Sequence, residues 1–546
     1  MLYVGVSIVV AALFCLQAGA ISMTHNSLET TSSTLNKLIP EMEGISGNVK
    51  ISTSPEEDLH PRVAANSAGD FAVVYELKLG TFSKVAPFAY STNGGASWIE
   101  GPVWDSLDMY TGPSGIHEDC DIDYNSKIDA FAVCLTDPIG DGTAIVGSIW
   151  IEGDFSNIDT WADHYTALGY GPTIYDSCVM NFDRFMASTF ISDQDDYGLT
   201  AAPCVNYMGY PEFDDEGVGT AGSYYFDGQS ITDSMPADNM ESANGGGDHM
   251  YVVMQTDEGS SSKITYKATS NAIEDLGITG GGPGGMDKYA DMEVWPWQGY
   301  LVEGGGNVFV ADPYVDASGN NVAIVYMTTD NIYGDWDIRC AYNDGVIPAE
   351  GEDYPWKTSV VAEGHPTDEV YPAVAVNGDT VTAAYISEGN LFIIKSEDRG
   401  ATWGEPEQIN EVDGTVVEEM KSVDMISSAV VWTDNRDGDK NIYFADMPAP
   451  MVTVQSVSGG FGVSAVVANV GSADATTDIS WSIDLDGSVF VGAHTEGTIP
   501  PLAAGSSETI KAGFILGIGK ATLTVTAGGA AQTAEVTVLG PFVLGL

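Results

Sequence analysis

A short pattern of strands recurs along residues 61–447, and it constrains the fold more than any other feature of the sequence. Four clear units open with a proline at the start of their first strand: Pro61, Pro172, Pro313 and Pro372. A more apolar second strand follows in every unit and ends in acidic or polar residues. Seven such second strands can be counted: residues 71–76, 131–137, 187–193, 251–257, 322–330, 381–386 and 429–434. Four short antiparallel strands repeated about every 50 residues are typical of a β-propeller.

The pattern favours seven blades. Six remains an alternative, because glycine-rich runs at 244–247 and 280–285 blur the fourth unit. The last unit stops at Met447 after its third strand, whereas residues 48–53 form a strand that precedes the first unit. A propeller closes its ring by pairing strands from the two ends of the chain, so we expect residues 48–53 to complete the last blade.

The composition changes after Pro450. Residues 450–546 contain seven acidic side chains, two lysines and no arginine, and their apolar and polar residues alternate between closely spaced turns. This spacing predicts a small β-sandwich. The expected fold is therefore all-β, with a propeller over residues 48–448 and a sandwich over residues 450–546.

The first 20 residues are apolar and end in a small-residue cleavage pattern, which predicts a secretory signal peptide. An uncleaved membrane anchor is the alternative, and it would be the chain's one contact with a membrane. Residues 21–47 are rich in Ser and Thr and are expected to form a linker. Either alternative places the protein outside the cytoplasm, as a secreted or cell-surface protein.

The chain is strongly acidic. Its 78 Asp and Glu against 19 Lys and Arg give a formal net charge of −59 at pH 7. Such a surface repels phosphate, so we expect no nucleic-acid partner. A coat of this density also suits salty surroundings, where counterions screen the repulsion between carboxylates.

Five cysteines follow the predicted signal peptide, and an odd number leaves at least one thiol unpaired. Cys120 and Cys134 flank the turn at residues 124–129 at nearly equal distances. This symmetry predicts a cross-strand disulfide between them, which export would permit. Two buried free thiols are the alternative.

Two turns share the spacing Ser-x-Asp/Asn-x-Gly-x-Ser/Thr-Trp. Their residues are Ser91, Asn93, Gly95 and Trp98 in the first turn, and Ser396, Asp398, Gly400 and Trp403 in the second. The side-chain oxygen can accept turn amides, glycine can adopt a positive φ, and the Trp can pack between blades. The motif resembles the Asp-box of sialidase-like (BNR-repeat) propellers. In that family the turn joins the third and fourth strands of a blade, on the face opposite the binding site.

The C-terminal segments 465–472 and 500–506 resemble the CARDB-like, immunoglobulin-type modules of bacterial and archaeal surface proteins. The resemblance to sialidases also implies what an active enzyme would need. It would need three arginines that bind the substrate carboxylate, a Tyr–Glu pair and an Asp that acts as the acid/base. This chain has five arginines: Arg62, Arg184, Arg339, Arg399 and Arg436. Only Arg62 and Arg436 are expected near the binding face, so no sialidase triad and no catalytic residue is assigned.

Acidic loops are expected to surround one end of the propeller axis. The candidate binding-face residues are Glu76, Asp137, Asp193, Asp330 and Asp434, together with Arg62 and Arg436. Two carboxylate groups are candidate Ca²⁺ ligands: Asp119, Asp121 and Asp123 on one strand, and Asp434, Asp437 and Asp439 in one turn. Solvated turns are the alternative interpretation. No other cofactor is expected.

The sequence contains no HExxH and no GxSxG motif, so it gives no sign of a metalloprotease or a serine hydrolase. The predicted function is an exported binding or adhesion module whose partner is a glycan or a surface protein. A glycoside hydrolase with a pair of carboxylates is the first alternative. A structural surface-layer component is the second.

Overall fold

The computed structural model describes residues 47–545, apart from short gaps. The gaps are residues 81–82, 103–117, 140–142, 153–161, 172, 183–184, 195–198, 214–218, 226–236, 247, 259–260, 273–295, 306–307, 448–449, 451, 472, 476–477 and 529. The predicted signal peptide and nearly all of the predicted linker lie outside the described residues. No helix among the described residues is both long and apolar enough to cross a membrane.

Within the described residues, seven sheets of four or five antiparallel strands follow one another. The first short strand, β1 (Val49–Lys50), belongs to the last of them. Blade 1 contains β2 (Glu57–Ala65), β3 (Phe71–Gly80), β4 (Ser83–Val85), β5 (Pro87–Ser91) and β6 (Ile99–Pro102). Blade 2 contains β7 (Glu118–Asn125), β8 (Ala130–Ile139), β9 (Thr143–Glu152) and β10 (Ala162–Gly171). Blade 3 contains β11 (Thr173–Phe182), β12 (Phe185–Gln194), β13 (Leu199–Phe213) and β14 (Gly219–Tyr225).

The next three blades repeat this order. Blade 4 contains β15 (Ala237–Gly246), β16 (His249–Glu258), β17 (Ser261–Thr269) and β18 (Trp297–Glu303). Blade 5 contains β19 (Val310–Ser318), β20 (Asn321–Thr328), β21 (Asp337–Tyr342) and β22 (Lys357–Ala362). Blade 6 contains β23 (Val370–Asn377), β24 (Thr380–Ser387), β25 (Asn390–Ser396) and β26 (Glu407–Gln408).

Blade 7 joins the two ends of the propeller. It contains β27 (Val423–Ile426), β28 (Ala429–Asp434) and β29 (Asn441–Asp446), and β1 supplies its outer strand. Val49 lies opposite Phe444 in an antiparallel pair, and the Ile51 amide continues the ladder by donating to the Ile442 carbonyl at 2.8 Å. The structure thus confirms both the seven blades and the closure predicted from the sequence.

The first strand of each blade lies next to the first strands of the neighbouring blades, and together these seven strands surround a central channel. The inner strands are β2, β7, β11, β15, β19, β23 and β27. Because the strands of a blade run antiparallel, the start of its first strand and the loop between its second and third strands lie at the same end. We call this end the upper face and the opposite end the lower face.

The remaining strands form two further sheets. One sheet has the order β30 (Val452–Ser458), β32 (Ser464–Asn469) and β35 (Ser507–Lys511). The other has the order β31 (Gly460–Phe461), β38 (Phe542–Leu544), β37 (Ala530–Gly540), β36 (Leu516–Ala527), β33 (Ile479–Val491) and β34 (His494–Ile499). Both contribute to one apolar core that includes Val467, Ile483 and Leu523, as the predicted sandwich requires.

The predicted disulfide between Cys120 and Cys134 is wrong, since both residues are free, buried thiols. A bulge in β7 shifts the register between residues 118 and 121, so Cys134 lies opposite Asp121 rather than Cys120. Cys120 packs in the core between blades 1 and 2, whereas Cys134 packs in the core between blades 2 and 3. The two thiols therefore occupy opposite faces of the blade.

The two turns with the Asp-box spacing have the expected local hydrogen bonds. In the first, the Gly95 amide donates to Ser91 Oγ at 3.0 Å and the Ser97 amide to Asn93 Oδ1 at 3.0 Å. The turn at residues 396–403 repeats both contacts, at 2.8 and 2.7 Å. Both turns join the third and fourth strands of a blade and lie on the lower face. The Trp98 ring packs edge-on against Phe444 of blade 7, with 5.1 Å between ring centroids.

Gly95 and Gly94 provide a matched pair for testing this contact between blades. Both have positive φ, at +81° and +68°, but a Cβ at Gly95 would lie 2.0 Å from the buried Phe444 ring, whereas one at Gly94 would meet nothing within 4 Å. We expect Gly94→Ala to cost about 1 kcal/mol of backbone strain. We expect Gly95→Ala to cost a further ~1–3 kcal/mol from overpacking. Urea denaturation measures the difference, and equal losses in the two variants would show that Phe444 can move aside.

Candidate functional site

Each inner strand begins with the same irregularity. In the first six blades a bulge interrupts the pairing of the first and second strands, and its first residue has a left-handed backbone. Blade 7 has a left-handed residue just before β27. The seven residues, which we call the upper ring, are His60, Asp119, Asp176, Asn239, Asp312, Tyr371 and Lys421, with φ between 48° and 60°. Left-handed residues other than glycine are uncommon and often mark functional sites. Because every blade has one at the same level, the upper end of the channel is the candidate site.

Lys421 connects three blades within the upper ring. Its ammonium lies 2.8 Å from Asp119 Oδ1 and 2.6 Å from Asp176 Oδ1, so blade 7 is joined across the channel to blades 2 and 3. Burial opposes the charged form, but the two carboxylates raise the pKa of Lys421 well above its usual value. The lysine therefore stays protonated and acts as a fixed cation.

A second ring lies below the first. Its members pair with equivalent positions of the second strands: Arg62, Asp121, Cys178, Glu241, Tyr314, Ala373 and Asp424. We call it the middle ring. The Arg62 guanidinium reaches across the channel to Glu241 of blade 4, with 2.5 Å between Nη2 and Oε1. It also lies 3.4 Å from Asp424 and 3.9 Å from Asp121, in the two blades next to its own. Arg62 thus closes the channel between its upper and lower halves.

Carboxylates of the inner strands also hold neighbouring blades together. The Val63 amide donates to Asp424 at 2.6 Å, the Val179 amide to Asp121 at 2.7 Å, and the Val376 amide to Asp316 at 2.6 Å. Each bond joins the inner strands of adjacent blades, whose facing amides would otherwise be buried without partners. These acids therefore have a structural role.

Burial raises the pKa of several of these carboxyl groups. It raises the pKa of Asp121 to about 7 although the Arg62 guanidinium opposes the shift, and it raises the pKa of Asp316 to about 7. Burial also raises the pKa of Asp312 to about 7, with a further contribution from Glu241, and Lys421 opposes the shift. The channel is thus one region of the propeller where protonation near neutral pH changes the charge.

A pocket of about 620 Å³ opens on the upper face beside the channel, between blades 4 and 7. We call it the upper pocket. Its aromatic side chains are Trp336 and Tyr371. Its acidic side chains are Asp312, Asp368, Glu388 and Glu418. Met327, Val370 and Met420 add apolar surface, and none of the described lining residues is basic or a histidine.

Main-chain hydrogen bonds fix the loop that carries Trp336. Its amide donates to Asp368 Oδ1 at 2.9 Å, and its carbonyl accepts the Glu369 amide at 2.8 Å. The same loop exposes Tyr333, whose ring stacks on His365 with 3.7 Å between centroids. The aromatic surface therefore continues from the pocket to its rim on a well-braced loop.

The predicted binding-face residues do not converge on one site. Glu76 is buried and accepts the Asp119 amide at 2.9 Å, so it joins blades 1 and 2. Asp434 is also buried and pairs with Arg436 at 2.6 Å. Asp330 lines a smaller pocket beside Arg339. Of the predicted binding-face residues whose side chains the structure describes, only Arg62 reaches the channel centre. The side chains of Asp137 and Asp193 lie outside the described part of the structure.

The predicted calcium ligands have other partners. Asp119 pairs with Lys421, Asp121 accepts the Val179 amide, and Asp123 accepts the Asn181 amide at 3.0 Å. In the other group, Asp434 pairs with Arg436. Asp437 accepts hydrogen bonds from Lys50 and Tyr443. Asp439 shares none of these contacts. Within the described residues no three His, Cys, Asp or Glu side chains are grouped so that they could hold a metal ion. Asp119, Asp121 and Asp123 of β7 accept amides of blade 3 instead of converging on a metal ion.

Sequence reasoning missed Glu241, Lys421 and the aromatic residues of the upper pocket. Glu241 is 179 residues from its partner Arg62, and Lys421 is 302 residues from Asp119, so local spacing could not reveal these pairs. One signal was available in the sequence. Pro313 and Pro372, which mark two predicted first strands, directly follow Asp312 and Tyr371, and both of these residues line the upper pocket.

The described arginines do not form a carboxylate-binding triad. Arg62 lies among the acids of the channel, Arg339 pairs with Asp337 at 3.2 Å, and Arg399 pairs with Asp379 at 2.8 Å. Arg436 pairs with Asp434, and Arg184 lies outside the described residues. Each of the four is paired with a carboxylate of the protein and belongs to a different blade.

No family model and no curated protein sequence matches this chain. Among solved structures it is similar to a protein of unknown function from Dyadobacter fermentans, with 13% identity and a TM-score of 0.36, over 74% of this chain and 99% of that one. The sialidase of Trypanosoma rangeli is 8% identical with a TM-score of 0.35, over 90% and 89%. A thermostable family-43 glycoside hydrolase is 11% identical with a TM-score of 0.29, over 71% and 95%. Likenesses this distant carry no argument about function, and the propeller fold rests on the sheet order above.

Replacing Arg62 with Met tests the role of the buried cation. We expect Arg62→Met to cost about 3–5 kcal/mol of unfolding free energy at pH 8, because it leaves Glu241 and Asp424 without their counter-charge. A carboxyl group whose folded pKa is about 7, against about 4 when unfolded, binds more protons in the folded state across that window, so its contribution to stability falls as pH rises. At pH 5 a carboxyl group such as Asp121, whose folded pKa is about 7, is protonated and needs no counter-charge, so the loss in the variant should be smaller than at pH 8.

The control is Arg399→Met, which removes an exposed pair with Asp379. Exposed pairs contribute less than about 1 kcal/mol, so this variant should show a small loss at both pH values. Urea midpoints at pH 5 and pH 8 provide the comparison. A loss in Arg62→Met that does not depend on pH would contradict the role given to the channel carboxylates.

Proposed function

We propose that the upper pocket binds a neutral or amino sugar and that the protein is a glycan-binding propeller. The observation that carries this proposal is the combination, in one pocket of about 620 Å³, of two aromatic side chains, four carboxylates and no described basic residue. Ligand pockets of this size are typically apolar surfaces with a few polar groups that fix orientation. Aromatic rings offer a flat apolar surface to the C–H face of a sugar, and carboxylates accept hydrogen bonds from its hydroxyl or ammonium groups.

The charge of the pocket supports this choice of ligand. A sialoside carries a carboxylate, which would need guanidinium donors and would be repelled by Asp312, Asp368, Glu388 and Glu418. The four arginines that the structure describes are paired with carboxylates elsewhere. Binding of an acidic sugar is therefore disfavoured, and we do not propose sialidase activity.

We further propose that this binding serves adhesion by a secreted or cell-surface protein in salty surroundings. The apolar N-terminal stretch and the net charge of −59 support that setting. Hydrolysis is the second candidate function, and Asp312 is the residue that favours it. Its pKa of about 7 would let it hold a proton at neutral pH, and it lines the upper pocket beside three further carboxylates.

A glycan array that presents neutral, amino and sialylated sugars tests the proposal. We expect neutral or amino sugars to bind and sialylated ones not to bind. Trp336→Ala should weaken that binding about 10-fold or more, because a central aromatic side chain commonly contributes 1–2 kcal/mol or more to an interface. Val346→Ala is the matched control, since Val346 is half exposed between the third and fourth strands of blade 5, on the lower face.

Two results would contradict the proposal. The first is selective binding of sialylated sugars, and the second is equal binding by the Trp336→Ala and Val346→Ala variants. The bound sugars are then offered as chromogenic glycosides. Release of the chromophore that is lost in Asp312→Asn would assign hydrolysis instead of simple binding.

A further inference from the structure

One end of the larger sandwich sheet exposes a group of large apolar side chains. Nine such residues have between 39% and 74% of their surface exposed. They are Phe461, Phe490, Val491, Phe514, Leu516, Ile518, Leu539, Phe542 and Leu544, and we call them the C-terminal apolar patch. Neither the propeller site nor the sandwich core uses them. Exposed apolar groups of this extent mark interaction surfaces.

Strand pairing makes the patch continuous. Ile518 lies opposite Leu539, Leu539 opposite Phe542, and Phe542 opposite Phe461, so one row of side chains crosses four adjacent strands. The Phe461 and Phe542 rings meet edge to face at 5.9 Å. Cross-strand partners share a face of the sheet, so the row points to one side.

A second row extends the same surface. Val491 lies opposite Leu516, two residues before Ile518 on the same strand. The Phe514 carbonyl lies close to Gly492, since a Cβ added to Gly492 would lie 2.2 Å from the carbonyl oxygen. Phe514 is therefore beside Val491, the residue before Gly492. The patch therefore forms a two-row apolar surface with a phenylalanine at its edge.

The exposed area matches what a dimer requires. With about 200 Å² for each fully exposed large apolar side chain, the exposed fractions of the eight residues other than Phe490 amount to about 870 Å² on one chain. Two such surfaces placed face to face would bury about 1,700 Å² in total, within the range of stable protein interfaces. Sheet faces pack well in this way, at about 10 Å separation.

The charge distribution also favours contact at this surface. None of the nine side chains is charged, and residues 450–546 carry only seven acids and two lysines of a chain with a net charge of −59. Two propellers would repel each other, but two sandwiches can meet with little charge between them. An anionic lipid surface would repel the whole chain.

We infer that the C-terminal apolar patch is a self-association surface through which two copies of this chain form a symmetric dimer. The same patch on each copy faces its counterpart, as a two-fold axis requires. The dimer would hold two propellers on one assembly, so two upper pockets could engage one multivalent surface. The inference rests on the sandwich alone and does not depend on the proposed ligand of the propeller.

Sedimentation velocity of the full chain at 0.15 M and 1 M NaCl tests the inference. We expect a monomer–dimer equilibrium that shifts toward dimer at 1 M NaCl, where salt screens repulsion between the acidic chains and strengthens apolar contact. Leu539→Gln with Phe542→Gln should weaken dimerisation at least 10-fold. Both residues are about half exposed, and circular dichroism and the melting temperature check that the variant is folded.

The matched control is Val412→Gln, which changes an exposed apolar residue of the propeller and should leave the dimer intact. A wild-type chain that is monomeric at both salt concentrations would overturn the inference, as would dimers that persist in the double variant. Flotation with phosphatidylcholine vesicles completes the test. Binding by wild type that is lost in the double variant would identify the patch as a lipid-binding surface and would equally overturn the inference.

Discussion

The ion pairs that Arg62 and Lys421 make inside the channel are the constraint on which the rest of the structure depends. A seven-bladed ring leaves an axial opening that side chains must fill or line, and this chain fills it mainly with carboxylates. Arg62 reaches from blade 1 to Glu241 of blade 4, and Lys421 from blade 7 to blades 2 and 3. These two cations supply the opposite charge at the point where all seven blades meet. Without them, several acids would face one another in a buried space.

The same ion pairs separate the upper face from the lower face. Arg62 closes the channel below the upper ring, and the upper-ring residues Asn239, Asp312 and Tyr371 line the upper pocket between blades 4 and 7. The lower face carries the two turns that contain Gly95 and Gly400, in which local hydrogen bonds fix the backbone, and Trp98 of the first turn packs against Phe444 of blade 7. Rigid turns on one face and a carboxylate-lined pocket on the other suit a propeller that binds a ligand at one end.

The sequence predicted the parts that local patterns encode. Recurring apolar runs that end in acidic or polar residues revealed the seven second strands, and the unmatched residues 48–53 revealed the closure. The spacing in residues 91–98 and 396–403 predicted turns whose hydrogen bonds are local. The disulfide prediction was wrong because a bulge at Asp119 shifted the register, which the symmetry of the turn could not show. The channel and the upper pocket were missed because they assemble residues that are far apart in the sequence. Asp119, Asp121 and Asp123, which were candidate calcium ligands, accept amides from the next blade.

A double-mutant cycle between Arg62 and Glu241 tests the central claim most directly. It compares the unfolding free energies of wild type, Arg62→Met, Glu241→Gln and the double variant at pH 8. We expect a coupling of about 2 kcal/mol or more, because Arg62→Met leaves Glu241 without its counter-charge, and this cost disappears once Glu241 is replaced by Gln. A coupling below about 0.5 kcal/mol would show that the two residues do not interact across the channel, and it would contradict the account.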